Sequence, residues 1–179
     1  DPGKLTGETG AYLKENGISV KDYGEVFRDL EGLSAESSIL VDNSKNSYAV
    51  YAAVKSAKTV DKEDIIVRLK AVKNPAEIEN LKKTNIRDGV AMVNFLYWLD
   101  TNIGVNEITE LDVADKLLEF RLEQEHCLGA SFATIAGYNE NAAMMHYMAT
   151  PEQYSVLKPE GFLLVDSGGQ YLSGTTDIT

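Results

Sequence analysis

The sequence predicts an α/β (α+β) fold in two domains, with a boundary near residues 72 and 73. Short helix-like and strand-like segments alternate over roughly the first 70 residues. A strong helix-start signal follows, in which Asn74 suits the N-cap, Pro75 the first helical position and Glu77 a capping box. After Glu125 the periodicity changes from helical to strand-like. These observations predict an α/β domain over 1–72 and a second domain, with long helices and then strands, over 73–179.

Composition argues against several classes of protein. Of 179 residues, 44% are hydrophobic and 25% charged, which is typical of a globular chain with a core. The net charge of -11, from 28 acidic and 17 basic residues, disfavours the basic face that nucleic-acid binding needs. No apolar run reaches membrane-spanning length, so we expect neither nucleic acid nor membrane as a partner. The single cysteine, Cys127, allows no intrachain disulfide, and a reducing, cytoplasmic location is the simplest interpretation.

The first domain is predicted to contain five segments in chain order. "TGETGAYLKEN" is typical of a helix that is capped by Thr6 and closed by Gly17. The next four are "ISVKDY" as a strand, "GEVFRDLEGL" as a helix, "SILVD" as a buried strand and "SYAVYAAVKS" as a helix. None of these segments carries a cluster of residues that suggests chemistry.

The second domain is predicted to begin with two long helices. The first runs from about Pro75 to Leu99, and the second starts after the N-cap Thr109 and ends near Glu125. The strand-like segments after them are "ASFATIAG" and "AAMMHYM" around the turn "GYNEN", and "FLLVDSGGQYLSGTTDIT" as two strands around Gly168-Gly169.

Two carboxylates near the end of the chain suggest a metal site. Asp166 follows four apolar residues, and burying an ionised carboxylate without a partner costs several kcal/mol or more. No Lys or Arg lies between Pro159 and Thr179, so the partner of Asp166, and of Asp177, must come from elsewhere in the fold or be a metal ion. Two converging carboxylates without local basic residues form a reasonable half-site for a divalent cation.

Plainer interpretations remain open for these residues. Asp166 before Ser-Gly-Gly is also a common turn former, whereas Asp177 lies in a predicted strand, where Asp is depleted. His146 lies on a strand-like run between apolar residues and could be a core histidine with one satisfied ring nitrogen. If it faces the same cavity as the aspartates, it could instead donate a proton or contact an oxyanion. His126 closes a helix and suits the negative end of the helix dipole.

The segment "DSGGQYLSGTTDIT" closely resembles the first metal-ligand segment of the aminopeptidase P family, the Xaa-Pro aminopeptidases of the pita-bread (creatinase/aminopeptidase) metallopeptidase fold. "LKAVKNPAEIENLKKTNIRDGVAMVNFLYWL" resembles the helix that opens the catalytic domain of that family, and "SFATIAG" and "MMHY" its next β segments. Residues 1–72 resemble part of the non-catalytic, creatinase-like N-terminal domain, which leaves 73–179 as the N-terminal half of the pita-bread domain. The chain therefore looks like a fragment of a longer protein.

The resemblance implies a site for two divalent ions, often manganese, with zinc or cobalt as alternatives. Asp166 would ligate one ion and Asp177 would bridge both, whereas His146 would be catalytic and contact the substrate without ligating metal. The remaining ligands, one His and two Glu, are expected after Thr179 and are absent from this chain. Ser173 stands where many relatives carry an acidic residue, but that residue is not a metal ligand.

The function implied by the resemblance is release of the N-terminal residue before proline, by attack of metal-bound hydroxide. The substrates would be peptides with proline at the second position, and the parent protein is expected to be a homodimer. A prolidase-like dipeptidase or creatinase-like hydrolase keeps the same fold and remains an alternative. A second alternative is a metal-free pita-bread module that binds peptides or proteins, although such modules typically lose the metal ligands. The 179-residue chain by itself is expected to be inactive.

Overall fold

A computed structural model describes residues 2–179 and divides the chain into two compact units that meet in the sequence at Val72 and Lys73. Both units mix helices with short strands, which confirms the predicted α/β class. Within residues 2–179, no helix combines the length and the apolar character that crossing a membrane requires. Each unit is described separately below.

Over residues 2–72, the first unit contains four α-helices and one pair of parallel strands. Thr6 caps the first helix as predicted, because its side chain accepts a hydrogen bond from the backbone N–H of Thr9 at 3.1 Å, and Gly17 follows with φ +71°. The helices are α1 (Gly7–Glu15), α2 (Glu25–Glu31), α3 (Tyr48–Ala53) and α4 (Ile65–Ala71), after a 3-10 turn at Pro2–Lys4. The strands are β1 (Ser38–Val41) and β2 (Lys58–Asp61).

The predicted strand at residues 18–23 is wrong. All six residues are exposed and none belongs to a strand, so the alternation of apolar and polar residues there has neither a hydrogen-bonding partner nor a buried face. Conversely, β2 and α4 were not predicted, because they lie in a charged stretch with weak periodicity.

The second unit begins with the two predicted helices, α5 (Pro75–Asn102) and α6 (Glu110–Leu122). A reciprocal capping box starts α5: Asn74 Oδ1 accepts from the backbone of Glu77 at 2.9 Å, and Glu77 Oε2 accepts from the backbone of Asn74 at 2.8 Å. The equivalent pair at α6 is Thr109 and Asp112. Both helix starts are therefore fixed by local side-chain contacts, as the sequence indicates.

Five short strands follow the helices. They are β3 (Cys127–Ala130), β4 (Ile135–Tyr138), β5 (Leu163–Asp166), β6 (Gly169–Tyr171) and β7 (Gly174–Thr175). β4 and β5 form one antiparallel pair, and β3, β6 and β7 form a three-stranded antiparallel sheet in that order. An isolated antiparallel bridge joins Ser167 to Ile178.

Two strand predictions in this unit need correction. "AAMMHYM" is not a strand: a 3-10 helix covers Asn139–Ala143, and His146 lies in the turn after it. Asn139 and His146 have φ values of +48° and +57°, and this left-handed backbone interrupts an extended chain. The end of the chain forms three strands instead of two, and its tight turn lies at Leu172–Ser173, between β6 and β7, instead of at the glycine pair.

The core of the second unit lies between the helices and the β4–β5 pair. Alternation along β5 turns Leu163 and Val165 toward this core, so Leu164 and Asp166 face the opposite side. The buried cluster consists of Phe95, Ile108, Val113, Leu117, Ala136, Tyr138 and Leu157. The side of the β4–β5 pair that faces away from the core is called the open face below.

A buried ion pair ties both helices to β6. Arg121 of α6 donates from Nε to Asp88 Oδ1 of α5 at 2.8 Å and from Nη2 to Oδ2 at 3.2 Å, and Tyr171 of β6 donates its hydroxyl to Asp88 Oδ1 at 2.9 Å. The Arg121 and Asp88 side chains are 1% and 0% exposed. Burial, and then the Asp88 carboxylate, raise the pKa of Tyr171, so this tyrosine remains a hydrogen-bond donor.

Candidate metal centre

Asp166 occupies the last position of β5, opposite Ile135 of β4. Its side chain is half-buried and lies on the open face. Thr179 Oγ1 donates a hydrogen bond to Asp166 Oδ1 at 3.1 Å. Within residues 2–179 no Lys or Arg forms an ion pair with Asp166, so its negative charge is not neutralised there.

Asp177 lies in the strand-like segment that returns alongside the residues after β5. Ser167 and Ile178 exchange two backbone hydrogen bonds, of 2.9 and 2.8 Å, which set the register. Because neighbouring side chains alternate between faces, Asp166 and Asp177 project from the face opposite to Ser167 and Ile178. They occupy diagonal positions of this pairing, and Cα atoms at such positions are typically about 7–8 Å apart across the two segments. Asp177 itself is exposed.

A cavity of about 240 Å³ opens on the open face of the β4–β5 pair. His146, Asp166 and Thr179 contribute its polar side chains, together with Asn141 and a surround of small and apolar residues. The structure therefore brings His146 and Asp166 to one cavity, whereas Asp177 is not among the residues that line it. His146 is exposed, and within residues 2–179 its imidazole has no hydrogen-bond partner.

The chemistry of these groups fits part of a divalent-cation site. Carboxylate oxygens without a basic partner are ligands that Mn²⁺, Mg²⁺ and Zn²⁺ accept. In the part of the chain that the structure describes, no group of three or more His, Cys, Asp or Glu side chains is arranged to hold a metal ion. Asp166 and Asp177 alone therefore amount to an incomplete ligand set.

Gly168 allows the close backbone packing between these carboxylates. A Cβ atom at this position would collide with the carbonyl oxygen of Thr176 and with Ser131 Oγ. Those two atoms are hydrogen-bonded to each other at 2.9 Å, and the backbone of Ser131 donates to the carbonyl of Gly168 at 3.0 Å. Three segments thus meet here at a distance that only glycine permits.

Replacing Gly168 by alanine should destabilise the second unit by at least about 2 kcal/mol, because a backbone carbonyl must move to admit the new methyl group. Gly89→Ala is the matched control: a Cβ at this position of α5 meets nothing within 4 Å, and helix propensity predicts a gain of about 0.5–1 kcal/mol. Urea unfolding followed by the fluorescence of Trp98 measures both. Equal stabilities of the two variants would contradict the close packing at Gly168.

Glu110 was not identified from the sequence, although it is the most heavily hydrogen-bonded carboxylate near the cavity. It is the first residue of α6 and is 0% exposed. Burial raises the pKa of its carboxyl, but the hydrogen bonds from its four donor groups outweigh burial and leave that pKa below its usual value. Burial, and then Glu110 itself, raise the pKa of Tyr147 to about 12. The carboxylate is therefore ionised and the phenol neutral at ordinary pH.

Two family profiles match the chain and together cover nearly all of it. Residues 79–179 match the profile of Metallopeptidase family M24, and residues 1–77 match that of the Creatinase/Prolidase N-terminal domain.

Curated relatives match over the whole chain. A probable Xaa-Pro aminopeptidase P of Sclerotinia sclerotiorum is 36% identical over 100% of this chain and 31% of its own length. Aminopeptidase P2 of Arabidopsis thaliana is 34% identical, again over 100% of this chain and 30% of its own length. The chain thus spans about a third of the length of these relatives.

Solved structures agree with the fold. The X-prolyl aminopeptidase of Caenorhabditis elegans, described as a cytosolic enzyme with a di-nuclear active site, superposes with a TM-score of 0.89 at 26% identity, over 99% of this chain and 30% of that one. The prolidase of Pyrococcus horikoshii superposes with a TM-score of 0.67 at 19% identity, over 95% of this chain and 48% of its own. At this low identity, the similarity to the prolidase supports the fold only.

Proposed function

The chain belongs to metallopeptidase family M24, and from this premise we propose that it forms part of a metal-dependent aminopeptidase that releases the N-terminal residue before a proline. The observation that carries the proposal is the cavity on the open face. Asp166, a carboxylate without a Lys or Arg partner among residues 2–179, and the exposed imidazole of His146 both line it. The names of the relatives, Xaa-Pro aminopeptidase P and X-prolyl aminopeptidase, support the substrate class.

In this proposal Asp166 would hold one divalent ion, and Asp177 would contribute its carboxylate to both ions of a pair. Two such ions, when bound, would lower the pKa of water and polarise a substrate carbonyl. The carboxylates supply rigid anionic oxygens from one face of the paired segments, which the backbone bonds of Ser167 and Ile178 hold in register. His146 is proposed to contact the scissile carbonyl as negative charge develops, or to hold a proton for the departing amine. Its exposure leaves both ring nitrogens available to substrate.

The rest of the site is proposed to come from outside residues 1–179. One His and two Glu would complete the ligand set, manganese is the proposed metal, and the complete protein is proposed to be a homodimer. Residues 1–72 would be part of a creatinase-like N-terminal domain and 73–179 the N-terminal half of the catalytic domain. The matches over 1–77 and 79–179 support this division.

The alternatives differ in substrate or in metal. A prolidase-like dipeptidase or a creatinase-like hydrolase would use the same fold. The superposition on a prolidase is consistent with this fold but does not distinguish the substrate. A metal-free binding module is disfavoured because Asp166 and Asp177 are both present. The whole-chain matches to aminopeptidases P favour the aminopeptidase.

Hydrolysis assays on the complete protein distinguish these functions. We expect cleavage of an Xaa-Pro-Xaa tripeptide after its first residue, loss of this activity with a chelator and recovery with manganese. Preference for the dipeptide Xaa-Pro over the tripeptide would favour a prolidase. Tight peptide binding without any hydrolysis, with or without metal, would favour the binding module and exclude the aminopeptidase.

The 179-residue chain by itself should not catalyse this reaction. Two carboxylates cannot hold a pair of ions against water and buffer, and residues 2–179 offer no third ligand arranged with them. The measurement is hydrolysis of an Xaa-Pro peptide by the purified chain with added manganese. A turnover of about 1 per second or faster, which is ordinary for an enzyme, would show that residues 1–179 contain a complete site.

A further inference from the structure

Glu110 is a fully buried carboxylate with no cationic partner among residues 2–179. Its oxygens accept five hydrogen bonds from four groups instead. The donors are the backbone N–H of Tyr138 at 2.7 Å, the Asn141 amide at 2.9 and 3.2 Å, the Tyr147 hydroxyl at 2.8 Å and the backbone N–H of Ser155 at 2.8 Å. The amino end of α6, where Glu110 lies, adds a favourable electrostatic field.

Three of the four donors surround the part of the chain that carries His146. Tyr138 is the last residue of β4, Asn141 lies in the 3-10 helix and Tyr147 directly follows His146. We call residues 139–146 the histidine segment. Glu110 therefore binds the chain just before this segment, in its middle and just beyond its end. Ser155 connects the same carboxylate to the next part of the chain.

The backbone of the histidine segment adopts an uncommon conformation at both of its ends. Asn139 at its start and His146 at its end both adopt left-handed φ values, of +48° and +57°. Within residues 2–179, the imidazole of His146 has no hydrogen bond that could fix its location. Its position at the cavity is therefore set by the backbone, and the backbone is held by contacts of the neighbouring residues.

Glu110 is unsuited to exchanging a proton with substrate. Its hydrogen bonds keep its pKa below the usual value, so it remains ionised, and it is not among the residues that line the cavity with His146. A buried charge with four convergent donors is instead suited to fixing the relative positions of those donors.

We propose that Glu110 is a positioning residue that holds the histidine segment through Tyr147, Asn141 and the backbone of Tyr138, and so fixes His146 beside Asp166. This inference rests on the catalytic role proposed above for His146. It assigns to Glu110 no contact with substrate or metal.

The test compares two tyrosines in the complete protein, because Glu110→Gln leaves donors without an acceptor and can fail to fold. Tyr147 and Tyr138 are each 7% exposed, and each donates one hydroxyl hydrogen bond. The Tyr147 hydroxyl donates to Glu110 and accepts from the Asn141 amide at 3.0 Å, so both of its bonds lie within this network. The Tyr138 hydroxyl donates to the carbonyl of Glu160, which is not bonded to Glu110. Tyr138→Phe is thus a matched control for Tyr147→Phe.

Hydrogen–deuterium exchange gives the readout that does not depend on activity. We expect the amides of residues 139–149 to exchange about tenfold faster in Tyr147→Phe, since a hydrogen bond to a charged group is lost. In Tyr138→Phe the same amides should exchange at a rate within twofold of the unaltered protein. Equal exchange in the two variants would overturn the proposal.

Kinetics on the same variants test the link to His146. Tyr147→Phe should lower kcat about tenfold with KM nearly unchanged, because a small displacement of a reacting group is costly. In a His146→Ala background the same change should cost less than twofold. An equal loss in both backgrounds would mean that Tyr147 and Glu110 act on general stability, which overturns the positioning role. If the unaltered protein cleaves no Xaa-Pro peptide, the proposed function fails, and the exchange comparison alone decides whether Glu110 holds the segment.

Discussion

Asp177→Asn in the complete protein should abolish Xaa-Pro hydrolysis and reduce bound metal at the same time. A bridging carboxylate contributes its charge to both ions, and a neutral amide of the same shape does not. Loss of about 4 kcal/mol of transition-state stabilisation would lower kcat/KM about 1000-fold. His146→Ala should be milder, about 100-fold, because it removes one acid–base contribution and leaves the ligands in place. Metal content and kcat/KM are measured on the same preparations.

The control for this comparison is Asp115→Asn. Asp115 lies exposed on α6, away from the cavity residues, and the chemical change is identical. Its activity and metal content should equal those of the unaltered protein. An Asp177→Asn protein that retains two metal ions and near-normal turnover would refute the ligand assignment. A loss of metal in His146→Ala as large as in Asp177→Asn would assign the histidine to the metal instead of the substrate.

Arg121→Met should lower the free energy of unfolding of the second unit by about 3–5 kcal/mol, since it leaves the Asp88 charge buried without its cation. Lys83→Met on α5 is the control: Lys83 forms an exposed ion pair with Glu79 at 3.8 Å, and such pairs contribute at most about 1 kcal/mol. Urea unfolding of the 179-residue chain can be followed by Trp98, its one tryptophan.

A double variant separates the charge from the packing at this position. Asp88→Asn removes the unpaired charge, and the new amide oxygen can still accept the hydrogen bond from Tyr171. Arg121→Met combined with Asp88→Asn should therefore recover at least about half of the stability lost in the single variant. If the double variant is as unstable as Arg121→Met, the loss comes from packing of the arginine stem and not from the buried charge.

The helix starts could be predicted from the sequence because their causes are local. Asn74 and Glu77 are three residues apart and cap the same helix. Their spacing in the sequence therefore directly predicts the hydrogen bonds that they form. The strand predicted at 18–23 was wrong because alternation alone says nothing about a partner for the backbone. At the histidine segment, left-handed residues override an apolar run that otherwise favours extended structure.

The same difference between local and long-range causes separates the residues of the candidate site that the sequence suggests from the one that it does not. Asp166, Asp177 and His146 could be proposed as site residues from the sequence because the segments that carry them resemble those of a known family in the same order. Glu110 was missed because its hydrogen-bond partners lie 28 to 45 residues away in the sequence, and only the fold brings them to its carboxylate. No local signal marks a glutamate at a helix start as buried, since this position is usually solvated and favours acidic residues in any case.

The left-handed backbone at His146 means that folding and the proposed catalysis favour different amino acids at this position. Glycine would adopt φ +57° without steric cost, so selection for foldability alone would favour it there, but glycine offers no imidazole. A saturation library at position 146 should therefore separate abundance from activity: glycine and asparagine should accumulate to high cellular levels as inert proteins, and β-branched residues should be depleted before any assay is run.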